Sequence, residues 1–459
     1  MEMESTLSSN HNQEQETTTH HAVVSIPEAD QNWLASVEKR IIEAPKLLNK
    51  SAGSRSCCIF RVPQSLFNRD EKAYQPHVVS IGPYHHGKPD LQMVQEHKWR
   101  YLGNVLARRK QDGVGLNELF KAIAVMEGKV RECYSEHIVY GSHELIEMMI
   151  VDGCFIIELF CIVGSIVAID GDDPLIRMAR MLFFVMQDLL RLENQIPYFV
   201  LQTLYKLLFP SSTKENPPSL TVLALGFFNY AAQRPEAELD RCKNLVGRHL
   251  LDLFRLSLIP PSLPESTGRP GAPLHVIHSA KKLNLVGIKF NPSRATDTFL
   301  DVKFSDGVLE IPTITVDDFI CTFFLNCVAF EDCYSYCSKH ITCYVIFIGF
   351  LIQTPADSEL LCNHAILENY IGTDVEVAEF FQKATKDAAL DVDMSYLAGL
   401  FQDVHKYYRT SWRVQLKAVK NAVTVTPWPL LAVLAASTAL ILTMIQAFYA
   451  VYAYYRPPK

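Results

Sequence analysis

Leu430-Leu431-Ala432-Val433-Leu434, carried on by Leu440-Ile441-Leu442 and Ala447-Phe448-Tyr449, is the stretch that decides the architecture. From Asn421 through Tyr455 the chain contains no Asp, Glu, Lys or Arg. About 20 apolar residues, each rising about 1.5 Å, cross a hydrocarbon layer about 30 Å thick, and this run is long enough to do so with some tilt. Trp428 at one end and Tyr449, Tyr452, Tyr454 and Tyr455 at the other stand where aromatic rings settle at headgroup depth. A surface helix of a globular protein of this length keeps a charged face towards water. The expectation is a single transmembrane helix over residues 428–454 in contact with the lipid bilayer, followed by a short tail, 455–459.

Residues 1–30 are polar, rich in Glu, Gln, Thr and His, and lack the basic start and apolar stretch of a secretory signal. They read as a disordered tail. Residues 31–420 form the body, as one large domain or as two lobes with a soft boundary in the Pro- and Gly-rich stretch 260–273. Lys and Arg number 43 against 50 Asp and Glu, a formal net charge of −7, so nucleic acid is not an expected partner. The 12 cysteines sit in a chain too long and too hydrophobic to need disulfide staples and read as reduced, buried thiols.

Helical patterns dominate the body. Asp90 is the expected cap of a helix carrying Leu91, Val94, Tyr101, Leu102, Val105 and Leu106 inward, with Lys98, Arg100, Arg108, Arg109 and Lys110 available to solvent. Helices are expected over 115–134, 144–169 and 174–193, the last opened by Asp172-Asp173-Pro174, and after the Pro197 break over 198–209. Asp152 and Glu158 inside 150–169 make that segment a core helix and not a second span, and the apolar run 343–352 is too short to be one. Phe299 to Phe304, the turn Ser305-Asp306-Gly307 and Val308 to Ile311 read as one β-hairpin ended by Pro312, with helix resuming at Val316.

Chemistry-bearing motifs do not survive inspection. Gly82-Pro83-Tyr84-His85-His86-Gly87-Lys88-Pro89 has the spacing of a phosphate-gripping loop, but Pro83 and Pro89 each remove a backbone N–H, and Pro89 stands where a Ser or Thr would hold Mg²⁺. His85, His86 and His97 with Asp90 and Glu96 match no recurrent zinc spacing. Of Cys321, Cys327, Cys333, Cys337 and Cys343 only Cys333 and Cys337 approach a ligand pair, with no second pair in register. His143-Glu144 lacks the second histidine of a zincin, and no nucleophile elbow or papain-like signature occurs. Asp152, Glu158, Asp188 and Glu193 on apolar helices read as structural carboxylates. No catalytic, cofactor-binding or metal residue is assigned, and no cofactor is expected.

Several segments resemble a known family in order and spacing. They are Cys58-Ile59-Phe60-Arg61-Val62-Pro63, Tyr74 to Gly87, Glu96 to Leu102, Val151-Asp152-Gly153-Cys154-Phe155, Asp188 to Pro197 and Gly307-Val308-Leu309-Glu310-Ile311-Pro312. The chain resembles the plant family known as domain of unknown function 247, also called uncharacterised protein family 0481. It departs in two places. Leu325-Asn326-Cys327 stands where the family usually has Arg-Asn-Leu before Ala-Phe-Glu, and Val423-Thr424-Val425-Thr426 replaces the aromatic run before Pro427-Trp428. The resemblance implies a mostly helical, C-terminally anchored plant protein with no established activity. Some members are implicated in grass self-incompatibility, which implies recognition between proteins without assigning that role to this chain.

The expectation is a mainly α protein: a large helical body with one short β-hairpin and a single C-terminal transmembrane helix. It is expected to be a non-catalytic recognition or scaffold protein with an unknown protein partner, single-pass in a membrane such as the plasma membrane. Lys406, Arg409, Arg413, Lys417 and Lys420 before the span, against Arg456 and Lys459 after it, favour a cytoplasmic body. Asn49-Lys50-Ser51 is the one usable glycosylation sequon that argues otherwise. Small residues four apart, Ala432/Ala436 and Ala435/Ala439, admit weak homo-oligomerisation through the span. The alternative is an enzyme of unrecognised type using the buried Asp and Glu residues or His85 and His86. A closed polar pocket joining Asp152, Glu193 or His86 would favour that alternative, and an open groove would favour binding.

Overall fold

The computed structural model describes residues 30–42, 47–168, 171–210, 217–264, 277–293, 298–386, 395–410 and 428–455. The tail 1–29, much of the 260–273 loop, and the flanks 411–427 and 456–459 lie outside the described residues. Two compact units are present, residues 1–46 and 47–459. In the first, a helix spans Gln31–Ile42 and none of its side chains is buried.

The second unit is built round the helix Ser142–Val163, in which every residue from Met148 to Ile162 is buried. A helix that is apolar on all faces has to be surrounded. Gln92–Arg109, Leu116–Ala124, Tyr198–Leu208 and Leu220–Ala232 pack around it. Gly153 makes room for Tyr198–Leu208, because a Cβ there would strike the Leu204 side chain. Ring contacts then run unbroken from Phe160 through Phe228, Phe254, Phe323, Phe324, Tyr344 and Phe347 to Phe401. They join the central helix to a second group, Leu250–Leu258, Asp318–Cys333, His340–Leu351 and Ala398–Thr410.

The mainly helical class holds, with more strand than the hairpin alone. β1 (Lys289–Ser293), β2 (Lys303–Ser305) and β3 (Val308–Pro312) form a sheet in the order β1-β3-β2, with β2 antiparallel and β1 parallel to β3. The expected turn joins β2 to β3 and uses left-handed backbone at Asp306 (φ 50°) and Gly307 (φ 77°). β4 (Ile314–Val316) pairs in parallel with β5 (Leu367–Asn369). Tyr407, on the last body helix, stands edge-on to Phe304 at 5.7 Å, so that helix is seated on the hairpin.

Several expected boundaries move. Asp90 does not cap its helix: Pro89–Leu91 forms a 3-10 turn and the α-helix begins at Gln92 with no side-chain cap. Residues 115–134 divide into Leu116–Ala124 and Glu127–Glu132. The central helix stops at Val163, and 174–193 breaks into Pro174–Arg177 and Ala179–Asp188. Lys98 is wholly buried, although its spacing assigned it to solvent, because it has a buried carboxylate to neutralise.

Trp428–Tyr455 is one helix. Its stretch Ala432–Tyr452 is long and apolar enough to cross a membrane, and none of that stretch is buried. The hydroxyls of Ser437, Thr438 and Thr443 donate to carbonyls four residues earlier in the same helix, which leaves those donors without need of water. His340–Leu351 and Pro355–Asn363 together are also apolar, but they bend by 104° and His340–Leu351 lies in the core.

Candidate functional site

The segments that carry the chemistry-bearing side chains meet in one buried region. After Asp188 the helix gives way to an irregular run in which Arg191, Glu193, Asn194 and Gln195 are all buried. Buried polar groups need partners: Asn194, with Asp188, finds them in the segment 77–82, Arg191 in Lys72 O, Glu193 in Arg61 and Val62 N–H, and Gln195 in Leu189 O, Arg191 O and Leu251 N–H. The N–H groups of His77, Val78 and Val79 donate to the Asp188 carboxylate at 2.8–3.0 Å, and Arg191 Nε does so at 3.0 Å. Asn194 Oδ1 accepts from Ile81 N–H at 2.6 Å, and its Nδ2 donates to Val79 O at 3.0 Å. Asp152, on the central helix, accepts from Gly82 N–H at 2.8 Å and from Lys98 Nζ at 2.6 Å, while Lys98 also donates to Ser80 O. The glycine-rich loop therefore spends its Gly82 N–H on the Asp152 carboxylate and its Lys88 N–H on its own His85 carbonyl. Gly82 has φ +73° and would place a Cβ 2.5 Å from Gln195 O, so only glycine fits there.

A cleft of about 310 Å³ opens at the edge of this network, between Arg61, Gln64, His85, Lys88, Glu136 and Glu193. Arg61 donates to Glu193 at 2.8 Å, to Glu136 at 3.3 Å and to Tyr84 O at 3.2 Å, and its guanidinium lies 4.2 Å from the Tyr84 ring centre. Glu193 also accepts from Val62 N–H at 2.8 Å. Burial pushes the Glu193 carboxyl up, but contacts from His85, Val62 and Arg61 outweigh it and hold the group below the usual range. His85 is 2% exposed, and its Nε2 lies 3.3 Å from Glu193 but is not oriented as a hydrogen bond. Burial of its ring outweighs the attraction of Glu193 and lowers its pKa.

The candidate residues are not brought to one centre. Glu193 and His85 meet at this cleft, Asp152 is sealed against Lys98, Asp188 against Arg191, and Glu158 pairs with Arg108. His86 stands edge-on to Tyr140 at 5.5 Å. A further buried triad joins Arg255 to Glu331 at 2.6 Å and to Asp252 at 3.2 Å, and nothing in the sequence distinguishes it from surface charge. Among the described residues no group of three or more His, Cys, Asp or Glu could hold a metal ion. The cysteines are free thiols; burial pushes Cys154 and Cys343 up to about 12, so neither is nucleophilic near neutrality.

A family model described as a plant protein of unknown function, DUF247, matches residues 59–442, which covers every segment of this network. The chain belongs to the DUF247 family. UPF0481 protein At3g47200 of Arabidopsis thaliana is 38% identical over 94% of this chain and 93% of its own length. Putative UPF0481 protein At3g02645, from the same plant, is 23% identical over 91% and 94%. No solved structure matches. Segments that carry the resemblance form one buried clamp: Arg61 and Val62 hold Glu193, 77–82 is held by Asp188, Asn194 and Asp152, and Lys98 neutralises Asp152. At the departure from the family pattern, Leu325 is buried. The neighbouring Asn326 is also buried; it accepts from Leu192 N–H at 2.9 Å and donates to Ala73 O at 2.9 Å.

Proposed function

We propose that this plant protein is a membrane-anchored recognition or scaffold protein that works through protein–protein contact and not through catalysis. The observation that carries the reading is the helix Trp428–Tyr455, which holds no charge and exposes its whole Ala432–Tyr452 stretch. In water that much exposed apolar surface would drive association; in a bilayer it is the anchor. The body supports the non-catalytic part. Its buried carboxylates accept backbone N–H groups or pair with buried cations, and Asp152, Glu193 and His86 lie in separate surroundings.

The body faces the cytoplasm in this account. Lys406 and Arg409 precede the span, with Arg413, Lys417 and Lys420 further along the sequence. The sequon offers weak opposition, because Asn49 Nδ2 already donates to Arg131 O at 2.7 Å and Ser51 Oγ to Glu132 O at 2.9 Å. Lateral self-association through Ala432/Ala436 or Ala435/Ala439 belongs to the same proposal. Proximity labelling in plant cells tests the recognition claim. The full chain should label a reproducible set of cytosolic or membrane proteins that a chain ending at Arg413 loses. Labelling no richer than that of an unrelated tail-anchored control would overturn it.

A further inference from the structure

We propose that a second cleft, beside Arg234, binds the carboxylate of an amino-acid-like ligand: a free amino acid or the C-terminal end of a peptide with an apolar side chain. The cleft holds about 790 Å³, within the range of small-molecule sites. The helix Leu220–Ala232 ends at its rim, where Gln233 takes left-handed backbone (φ 49°) and turns the chain so that Arg234 faces inward. Asn229 fixes that turn: its Oδ1 accepts from Arg234 N–H at 2.8 Å and its Nδ2 donates to Arg234 O at 2.9 Å. The guanidinium lies 5.2 Å from the Phe254 ring centre, and Nη1 donates to Ser257 O at 3.3 Å.

Three holds on one arginine leave its Nε and Nη2 atoms, which are buried and have no hydrogen-bond partner. These two nitrogens form the parallel edge that meets a carboxylate in a bidentate fork. A buried donor pair left empty is unfavourable, and a carboxylate is the group whose geometry fills it. The other charges in the cleft narrow the ligand further. Glu238, Asp317 and Glu368 line the same space, so a dianionic phosphate meets net repulsion. A molecule with a carboxylate at one end and an ammonium or amide donor beside it is complementary to both. Phe254 and Phe299 supply the apolar wall for its side chain. Because the edge is closed to water, the ligand reaches it by displacing rim side chains, of which Gln233 and Tyr370 are exposed.

The test is calorimetric titration of the full chain in detergent micelles. The probes are phenylalanine, the tripeptide Ala-Ala-Phe, the C-terminal amide of each, N-acetylphenylalanine and inorganic phosphate. The acids should bind, and each amide should bind at least tenfold more weakly. Phosphate should not compete. Phenylalanine against tripeptide tells a free amino acid from a peptide end. Arg234→Lys keeps the charge and loses the fork, and should weaken the acids at least tenfold while leaving the amides unchanged. Glu368→Gln, at an exposed position, should weaken phenylalanine more than N-acetylphenylalanine; should Arg234→Lys not fold, this variant and the acid–amide comparison decide. Equal binding of acid and amide, undiminished acid binding by a folded Arg234→Lys, phosphate binding tighter than the acids, or no binding of any acid at millimolar concentration each overturns the proposal.

Discussion

Replacing Asp188 by Asn changes one oxygen into an NH₂ group with almost no change in shape, at a carboxylate with no exposure. Both oxygens are in use: His77, Val78 and Val79 donate backbone N–H groups to them, and Arg191 donates through Nε at 3.0 Å. The amide has one acceptor and points a donor at donors. At least one buried N–H loses its partner, at about 1–3 kcal/mol. Arg191 loses its countercharge inside the protein, and breaking a buried pair costs about 3–5 kcal/mol. The two penalties overlap, because both include the same desolvation, so a total of about 4 kcal/mol is expected. That is a large part of the roughly 5–15 kcal/mol that holds a folded domain. The assay is urea unfolding of the chain ending at Arg413, followed by tryptophan fluorescence. Asp301→Asn serves as the reference, since it removes an exposed pair with Lys303 expected to matter by less than about 1 kcal/mol. A shift for Asp188→Asn within about 0.5 kcal/mol of that reference would refute the clamp.

Two other outcomes follow from the same network, and a third from the buried His249, which bonds Cys58 O and Asp252 N–H. Lys98→Met should destabilise by about 3–5 kcal/mol by leaving Asp152 buried and unpaired, and adding Asp152→Asn should restore part of the loss; denaturation midpoints decide. Gly82→Ala, with φ +73° and a Cβ 2.5 Å from Gln195 O, should cost more than Gly87→Ala, where φ is +79° but nothing lies within 4 Å. Strain alone is about 1–2 kcal/mol, so equal melting shifts for the two would deny the close approach. Burial lowers the His249 pKa to about 4, against opposing help from Asp252 and Cys58 O. The unfolded state, titrating near about 6.5, then binds the extra proton. Stability from His249 is therefore present above pH about 6.5 and lost as pH falls towards 4, by about 3 kcal/mol. His249→Gln should flatten the stability–pH curve in that window.

What the sequence reveals depends on how local the cause is. The central helix is legible because a run this apolar has to be buried or spanned, and Asp152 and Glu158 decide between the two. The hairpin is legible because Ser305-Asp306-Gly307 is a local turn signal. β1 is not: Lys289-Phe290-Asn291-Pro292-Ser293 has no alternation and includes a proline, and it becomes a strand only because β3 runs parallel beside it. β4 and β5 are three residues each and pair across some fifty positions, which no window can see. The run after Asp188 reads as helix in the sequence because Leu189, Leu190 and Leu192 keep the apolar spacing. Its polar residues carry the signal, since Arg191, Glu193, Asn194 and Gln195 bind backbone of other segments in place of facing water. Arg234 has no mark in the sequence at all, because its setting is made by Asn229, Phe254 and Ser257.

The anchor is tested most directly by alkaline carbonate extraction of membranes from plant cells expressing the full chain or the chain ending at Arg413. The full chain should stay in the pellet and the truncated chain should appear in the supernatant, folded by its resistance to protease. A truncated chain that remains in the carbonate-washed pellet, or a full chain that washes free, would contradict anchoring by Trp428–Tyr455.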